Sequence, residues 1–87
     1  MEIEQLKGLG PKSKQMLKQV GVTDIQQFLA YEPFELYRLL KQHVPGVSLN
    51  MLYGIIGAQE NIPWQEVKST RRTEILLRLD DMGLAPK

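Results

Sequence analysis

Eighty-seven residues suffice for one domain built on a single modest core. The chain is 43% hydrophobic and 24% charged, with eleven bases against ten acids, so it reads as an ordinary globular protein. Its net charge of +1 and pI near 8.0 fall short of a strongly basic nucleic-acid binder, for which a pI above about 9 is expected. Zero cysteines exclude disulfides and thiolate metal sites. No apolar run reaches membrane-spanning length, and the acidic start Met1-Glu2-Ile3-Glu4 is unlike a secretory leader. The expected compartment is the cytoplasm.

Residues 2–6 are expected to form a short helix with Ile3 and Leu6 on one face. Next comes the stretch around which the chain is organised, Leu6-Lys7-Gly8-Leu9-Gly10-Pro11-Lys12. Gly8 and Gly10 permit a turn that other residues would strain, and Leu9 between them can pin it to a core. Pro11 suits the first position of a helix, and the amide groups exposed at such a start can donate to an anion. Two readings stand side by side. One is a helix-hairpin-helix turn that grips a nucleic-acid backbone, with Lys7, Gly8, Gly10, Lys12, Ser13 and Lys14 as the contacting residues. The other is an ordinary sharp entry into a helix.

That helix is expected from Pro11 to Val20, with Met16, Leu17 and Val20 inward, Lys14 and Lys18 toward solvent, and Gly21 as its C-terminal cap. Lys7 to Val20 holds four lysines and no acid, whereas Gly21 to Tyr37 holds three acids and no base. The basic charge is therefore local. It would give weak, salt-sensitive contact with a few phosphates.

Thr23 reads as the N-cap of the next helix, whose apolar residues are Ile25, Phe28 and Leu29. Pro33 starts a third, with Leu36, Tyr37 and Leu40 inward and Phe34, Leu39 and Val44 widening that face. Pro45-Gly46 ends it. Ser48 reads as the cap of a fourth helix, Leu49 to about Glu60, which is apolar nearly all round and is expected at the centre of the core. Gly54 and Gly57 reduce its propensity by roughly 1 kcal/mol each relative to alanine, tolerable where another helix crosses closely. Asn61-Ile62-Pro63 breaks the chain. A short turn to about Val67 is expected next, then a last helix capped by Ser69 or Thr70 and running to about Met82. Ile75, Leu76, Leu79 and Met82 form its stripe, and Gly83 stops it. Residues from Leu84 onward are expected to fray. Trp64, the only tryptophan, is expected over the core edge. If exposed, it would mark a partner surface together with Arg71 and Arg72, near a basic cluster that includes Lys68 and Arg78.

No enzyme is expected. The single His43 stands beside a Pro-Gly loop with no second histidine or cysteine, the carboxylates are scattered, and Gly8 to Lys12 lacks the length and ending of a Walker loop. Accordingly no catalytic residue, metal, cofactor or small-molecule substrate is expected. The chain reads as a single all-α domain, residues 1–87, a compact bundle of five or six short helices.

The sequence resembles the C-terminal domain of the TfoX/Sxy family of bacterial competence regulators. The residues that carry the likeness are Leu9-Gly10-Pro11-Lys12-Ser13, Gly21-Val22-Thr23, Gly46-Val47-Ser48-Leu49-Asn50-Met51-Leu52-Tyr53, Gly57-Ala58 and Trp64. The first two blocks are shared by many helix-hairpin-helix domains, and the later ones are more discriminating. The resemblance implies a SAM-like helical fold with a helix-hairpin-helix element. It also implies transcriptional co-activation of competence genes, acting with a cyclic-AMP receptor protein. Family members often carry an α/β domain ahead of this one, which the 87 residues do not include, so a lone C-terminal domain or a piece of a longer chain is expected. Two functions stay open: contact with the transcription machinery through protein surfaces, or weak, sequence-independent contact with the duplex DNA backbone. Neither involves a membrane.

Overall fold

Five α-helices follow one short 3-10 turn in the computed structural model, which describes residues 2–6 and 8–85. The 3-10 turn spans Ile3–Gln5. The helices are α1 (Pro11–Gln19), α2 (Ile25–Ala30), α3 (Pro33–His43), α4 (Leu49–Glu60) and α5 (Trp64–Asp81). Among the described residues there is no strand, only an isolated antiparallel bridge between Glu2 and Asp24. There the Ile3 amide donates to the Thr23 carbonyl at 2.9 Å, which carries the buried Ile3 into the core.

The centre is α4, as its composition predicts. Met51 to Gly57 are all buried, and α3 and α5 pack against them. The other helices supply one face each. Leu17 comes from α1, Phe28 from α2, Leu36, Tyr37 and Leu40 from α3, and Val67, Ile75 and Leu79 from α5. The short α2 is tied to α4 by the Gln59 side-chain amide, which donates to the carbonyls of Phe28 and Tyr31 at 3.0 and 2.8 Å. Both carbonyls lie at the C-terminal end of α2, where that of Phe28 also accepts from the Tyr31 amide at 3.2 Å.

Two helices end alike. After α1, Gly21 takes φ +84° and its amide donates to the Lys18 carbonyl, while the Val22 amide reaches back to Leu17 at 2.9 Å. Leu17 and Val22 are both fully buried, so the cap is closed by an apolar contact. After α5, the Gly83 amide donates to Asp80 and the Leu84 amide to Leu79 at 2.8 Å. Leu84 therefore does not fray as expected: it packs on the core.

The structure departs from the sequence reading at other points. The N-cap of α2 is Asp24, not Thr23: its carboxylate accepts from the amides of Gln26 and Gln27 at 2.8 and 3.4 Å. Gln27 reaches back to accept from the Thr23 amide, so Thr23 lies one residue outside the helix. Ser48 stands at the N-cap of α4 but makes no side-chain capping bond. Leu29 is 49% exposed: the fully buried Phe28 before it takes the inward direction, and adjacent helical residues point about 100° apart. Lys14, expected in solvent, is half-buried.

The last segment is one helix, not a turn followed by a helix. Pro63 is its N-cap, and Ser69 and Thr70 lie inside it. Their hydroxyls donate backward to the Glu66 carbonyl at 3.2 and 2.7 Å and so cap nothing.

The two interior glycines of α4 do mark close approaches, though not by a crossing helix. A Cβ on Gly57 would stand 2.7 Å from the Ile62 carbonyl oxygen and 3.2 Å from the Trp64 nitrogen. The α4–α5 turn folds back over that glycine. A Cβ on Gly54 would stand 3.0 Å from Leu9 Cδ2. The side chain in that notch comes from the opening turn.

Candidate functional site

The opening turn is bolted to α4 from above. Gly8 holds φ +96° and sits over Ala58, whose Cα and Cβ would each lie 3.5 Å from a Gly8 Cβ. One residue on, Leu9 fills the Gly54 notch. Gly10 is the extended N-cap of α1 and Pro11 its first residue, and the Lys14 amide closes the first turn on the Gly10 carbonyl at 3.1 Å. The first turn of α1 thus leaves the Lys12 and Ser13 amides without a partner further back in the helix.

Beside this start lies the start of α4, and the two border one open cleft of about 340 Å³. Gly8, Gly10, Lys12 and Ser13 line one side, Ser48 and Asn50 the other, with Trp64 at the edge. No acid lines it. Of the six nucleic-acid candidates, the structure brings these four together. Lys14 does not line the cleft, and Lys7 lies outside the described residues. Sequence reasoning assigned Ser48 a cap and gave Asn50 no role. Nothing in linear order signals that two helix starts 38 residues apart share a cleft.

Trp64 also borders a second surface, a shallow groove along the first half of α5. Trp64, Lys68 and Arg72 follow one another at intervals of four, and Gln65, Ser69 and Thr73 run parallel at the same interval. Residues four apart stack on one face of a helix, so these are two neighbouring ridges with a furrow between them. Again no acid lines the groove.

The other cations of α5 are committed to the fold. Arg71 grips the Glu60 carboxylate through both terminal guanidinium nitrogens, Nη1 lying 2.6 Å from Oε2. The Arg71 hydrogen bond holds the Glu60 carboxyl below its usual pKa, and the same bond raises Arg71. Arg78 donates to Glu32 at 2.9 Å and lies 4.2 Å above the Phe34 ring, tying α5 to the start of α3. The structure therefore splits the basic cluster expected from the sequence. Arg72 and Lys68 face the groove with Trp64, whereas Arg71 is turned to Glu60 and Arg78 to Glu32. Neither Lys68 nor Arg72 has an ion-pair or hydrogen-bond partner among the described residues.

His43 ends α3, exposed, and among the described residues no three histidine, cysteine or carboxylate side chains gather as a metal site would need. No helix of the described residues is long and apolar enough to cross a membrane. Compared with known families, residues 1–79 match the model of the TfoX C-terminal domain. Comparison with curated proteins and with solved structures returned no match.

Proposed function

The chain belongs to the TfoX C-terminal domain family, competence-related regulatory domains, and on that premise we propose that it is a non-enzymatic module that acts through protein contacts. Its role on this reading is co-activation of DNA-uptake genes, with the transcription machinery or a cyclic-AMP receptor protein as partner. The supporting observation is the disposition of charge. Two of the three arginines of α5 are held by Glu60 and Glu32, and the molecule nets only +1. A backbone-binding domain needs many cations directed at phosphates, since each phosphate neutralised adds its own increment of affinity. The test is expression of a DNA-uptake reporter with the chain supplied or withheld, together with binding to purified receptor protein and RNA polymerase. Reporter induction with direct binding to either protein is the expected result. Induction without any protein contact would overturn the reading.

One observation favours a second reading. The starts of α1 and α4 open on one acid-free cleft with Lys12 at its rim. On this reading the cleft takes a phosphate of duplex DNA. Labelled duplex titrated at low and at physiological salt tests it. Binding should fall steeply with salt and be lost in the Lys12→Glu, Lys14→Glu double variant, and binding unchanged by those substitutions would sink it.

A further inference from the structure

We propose that the outward ridge Arg72-Leu76-Asp80 of α5 is a self-complementary surface on which two copies of this chain pack antiparallel. The three residues follow one another at intervals of four, so they form one row that spans about 80° of the helix circumference. Leu76 and Asp80 each follow a buried residue, Ile75 and Leu79, and so point about 100° away from it. Arg72 and Asp80 are exposed. Leu76 is half-buried without packing on the core, and its neighbour Leu77 is 64% exposed. Among the described residues, the side chains of Arg72, Asp80 and Asp81 have no ion-pair or hydrogen-bond partner.

The order of the charges selects a second copy. The base stands four residues before Leu76 and the acid four residues after it, about 6 Å either way along the axis. A copy running antiparallel about a two-fold axis at Leu76 therefore sets its Asp80 against Arg72 and its Arg72 against Asp80, one pair at each end. Leu76 and Leu77 of the two copies meet between the pairs. Rows of period four interdigitate in the commonest class of helix packing, which brings such rows alongside one another. The order does not serve α5 itself, since acids in a last turn oppose the helix dipole and Asp80 and Asp81 stand there. A parallel copy would set like charges together, and a polyanion would meet Asp80 and Asp81. Three turns of helix bury less than the roughly 1,200 Å² of a stable complex, so the dimer is transient, formed at millimolar and not at micromolar concentration. Copies gathered on one assembly meet at effective concentrations of that order. Self-association is independent of which protein the module contacts.

Sedimentation equilibrium of the whole chain from micromolar to millimolar concentration is the test, with amide chemical shifts of the labelled protein to locate the contact. The mean mass should rise from the 10.0 kDa of the monomer toward twice that, and the rise should shrink with salt. The shifts should centre on residues 72 to 81. Arg72→Asp and Asp80→Arg should each weaken association roughly tenfold or more, because each places like charges at both ends of the dimer. The two substitutions combined should recover it, since exchanging the charges leaves an antiparallel pair unchanged. Leu77→Ser should weaken it severalfold. These are surface changes whose fold is checked by melting curves. A chain that stays monomeric at the highest concentration, shifts on another face, or a double variant no better than the single ones would each overturn the proposal. So would a monomeric chain whose residues 72 to 81 respond instead to purified receptor protein or RNA polymerase, because the face would then belong to that partner.

Discussion

The opening turn and the outer face of α5 both looked like basic, partner-seeking surfaces, yet they are built on opposite plans. At the turn the apolar side chains, Leu6 and Leu9, are committed to the core, and the residues around them set the backbone. Gly8 lies on Ala58, Leu9 fills the Gly54 notch, and Gly10 and Pro11 launch α1. What the turn can offer a ligand is backbone, plus Lys12 at the rim of the cleft. On the α5 face the commitment runs the other way. The core takes Val67, Ile75 and Leu79 from one side of the helix and half-buries Trp64. Glu60 and Glu32 take Arg71 and Arg78, and Lys68, Arg72 and Thr73 are left to solvent. A cation's place in sequence says little about its availability. What decides is whether an acid on a neighbouring helix is within reach.

This contrast is most sharply broken by substitutions that should damage one region and spare the other. Gly57→Ala is expected to be the most disruptive, at about 3 kcal/mol, because its Cβ would meet the Ile62 carbonyl, a backbone atom that cannot swing away. Thermal or urea unfolding measures it, and an unchanged midpoint would show that the α4–α5 turn has slack. Leu9→Ala should come second at about 2 kcal/mol, for Leu9 is only partly buried. Gly54→Ala bears on the same notch. In the Leu9→Ala background it should cost less than alone, because the Leu9 side chain that crowds the new methyl is gone. Gly8→Ala should cost about 1 kcal/mol through its left-handed φ, and α1 should stay folded.

The smallest effects belong to the α5 face. Glu60→Gln breaks an exposed pair, so the loss is slight and shrinks with salt. Its pH dependence has a definite sign. Arg71 lowers the Glu60 pKa in the folded chain, so the pair's stabilisation is present above the ordinary carboxylate range. It is lost as pH falls through that range toward the folded value. Melting curves of the native chain and Glu60→Gln should therefore converge in acid. The Lys68→Glu, Arg72→Glu variant should change stability by no more than about 0.5 kcal/mol. A large stability loss there would mean that this face, too, is committed to the fold.

Most of the core was legible because helical periodicity is a local signal. The α4 span, Pro11 and Pro33 at helix starts, Gly21 and Gly83 just past helix ends, and the core residues Leu36, Tyr37 and Leu40 of α3 and Ile75 and Leu79 of α5 all stem from spacing within a dozen residues, whereas Leu39 and Leu76, expected inward, lie outside the core. The misreadings occurred where two local signals compete. Thr23 and Asp24 are both good caps, and the choice went to Asp24, whose carboxylate reaches two amides. Ser69 and Thr70 resemble caps, but Pro63 had already started the helix, which left their hydroxyls to bond backward. The candidate surfaces were less legible. The interval of four joining Trp64, Lys68 and Arg72 was present in the sequence. That Arg71 would turn to Glu60 and Arg78 to Glu32 was not.

By itself, then, the sequence determined that this chain is all-α, that α4 is its buried centre, and that it resembles the TfoX C-terminal domain, which the family match over residues 1–79 bears out. These properties rest on apolar period, turn chemistry and short motifs, all encoded within a few neighbouring residues. Tertiary structure alone decided that Leu9 fits Gly54, that the starts of α1 and α4 share a cleft, and which cations of α5 remain available. Those depend on distances between helices far apart in the chain. Such distances are set only when α1, α3 and α5 close around α4, because a side chain's partner is whatever the packed core brings within a few ångströms of it.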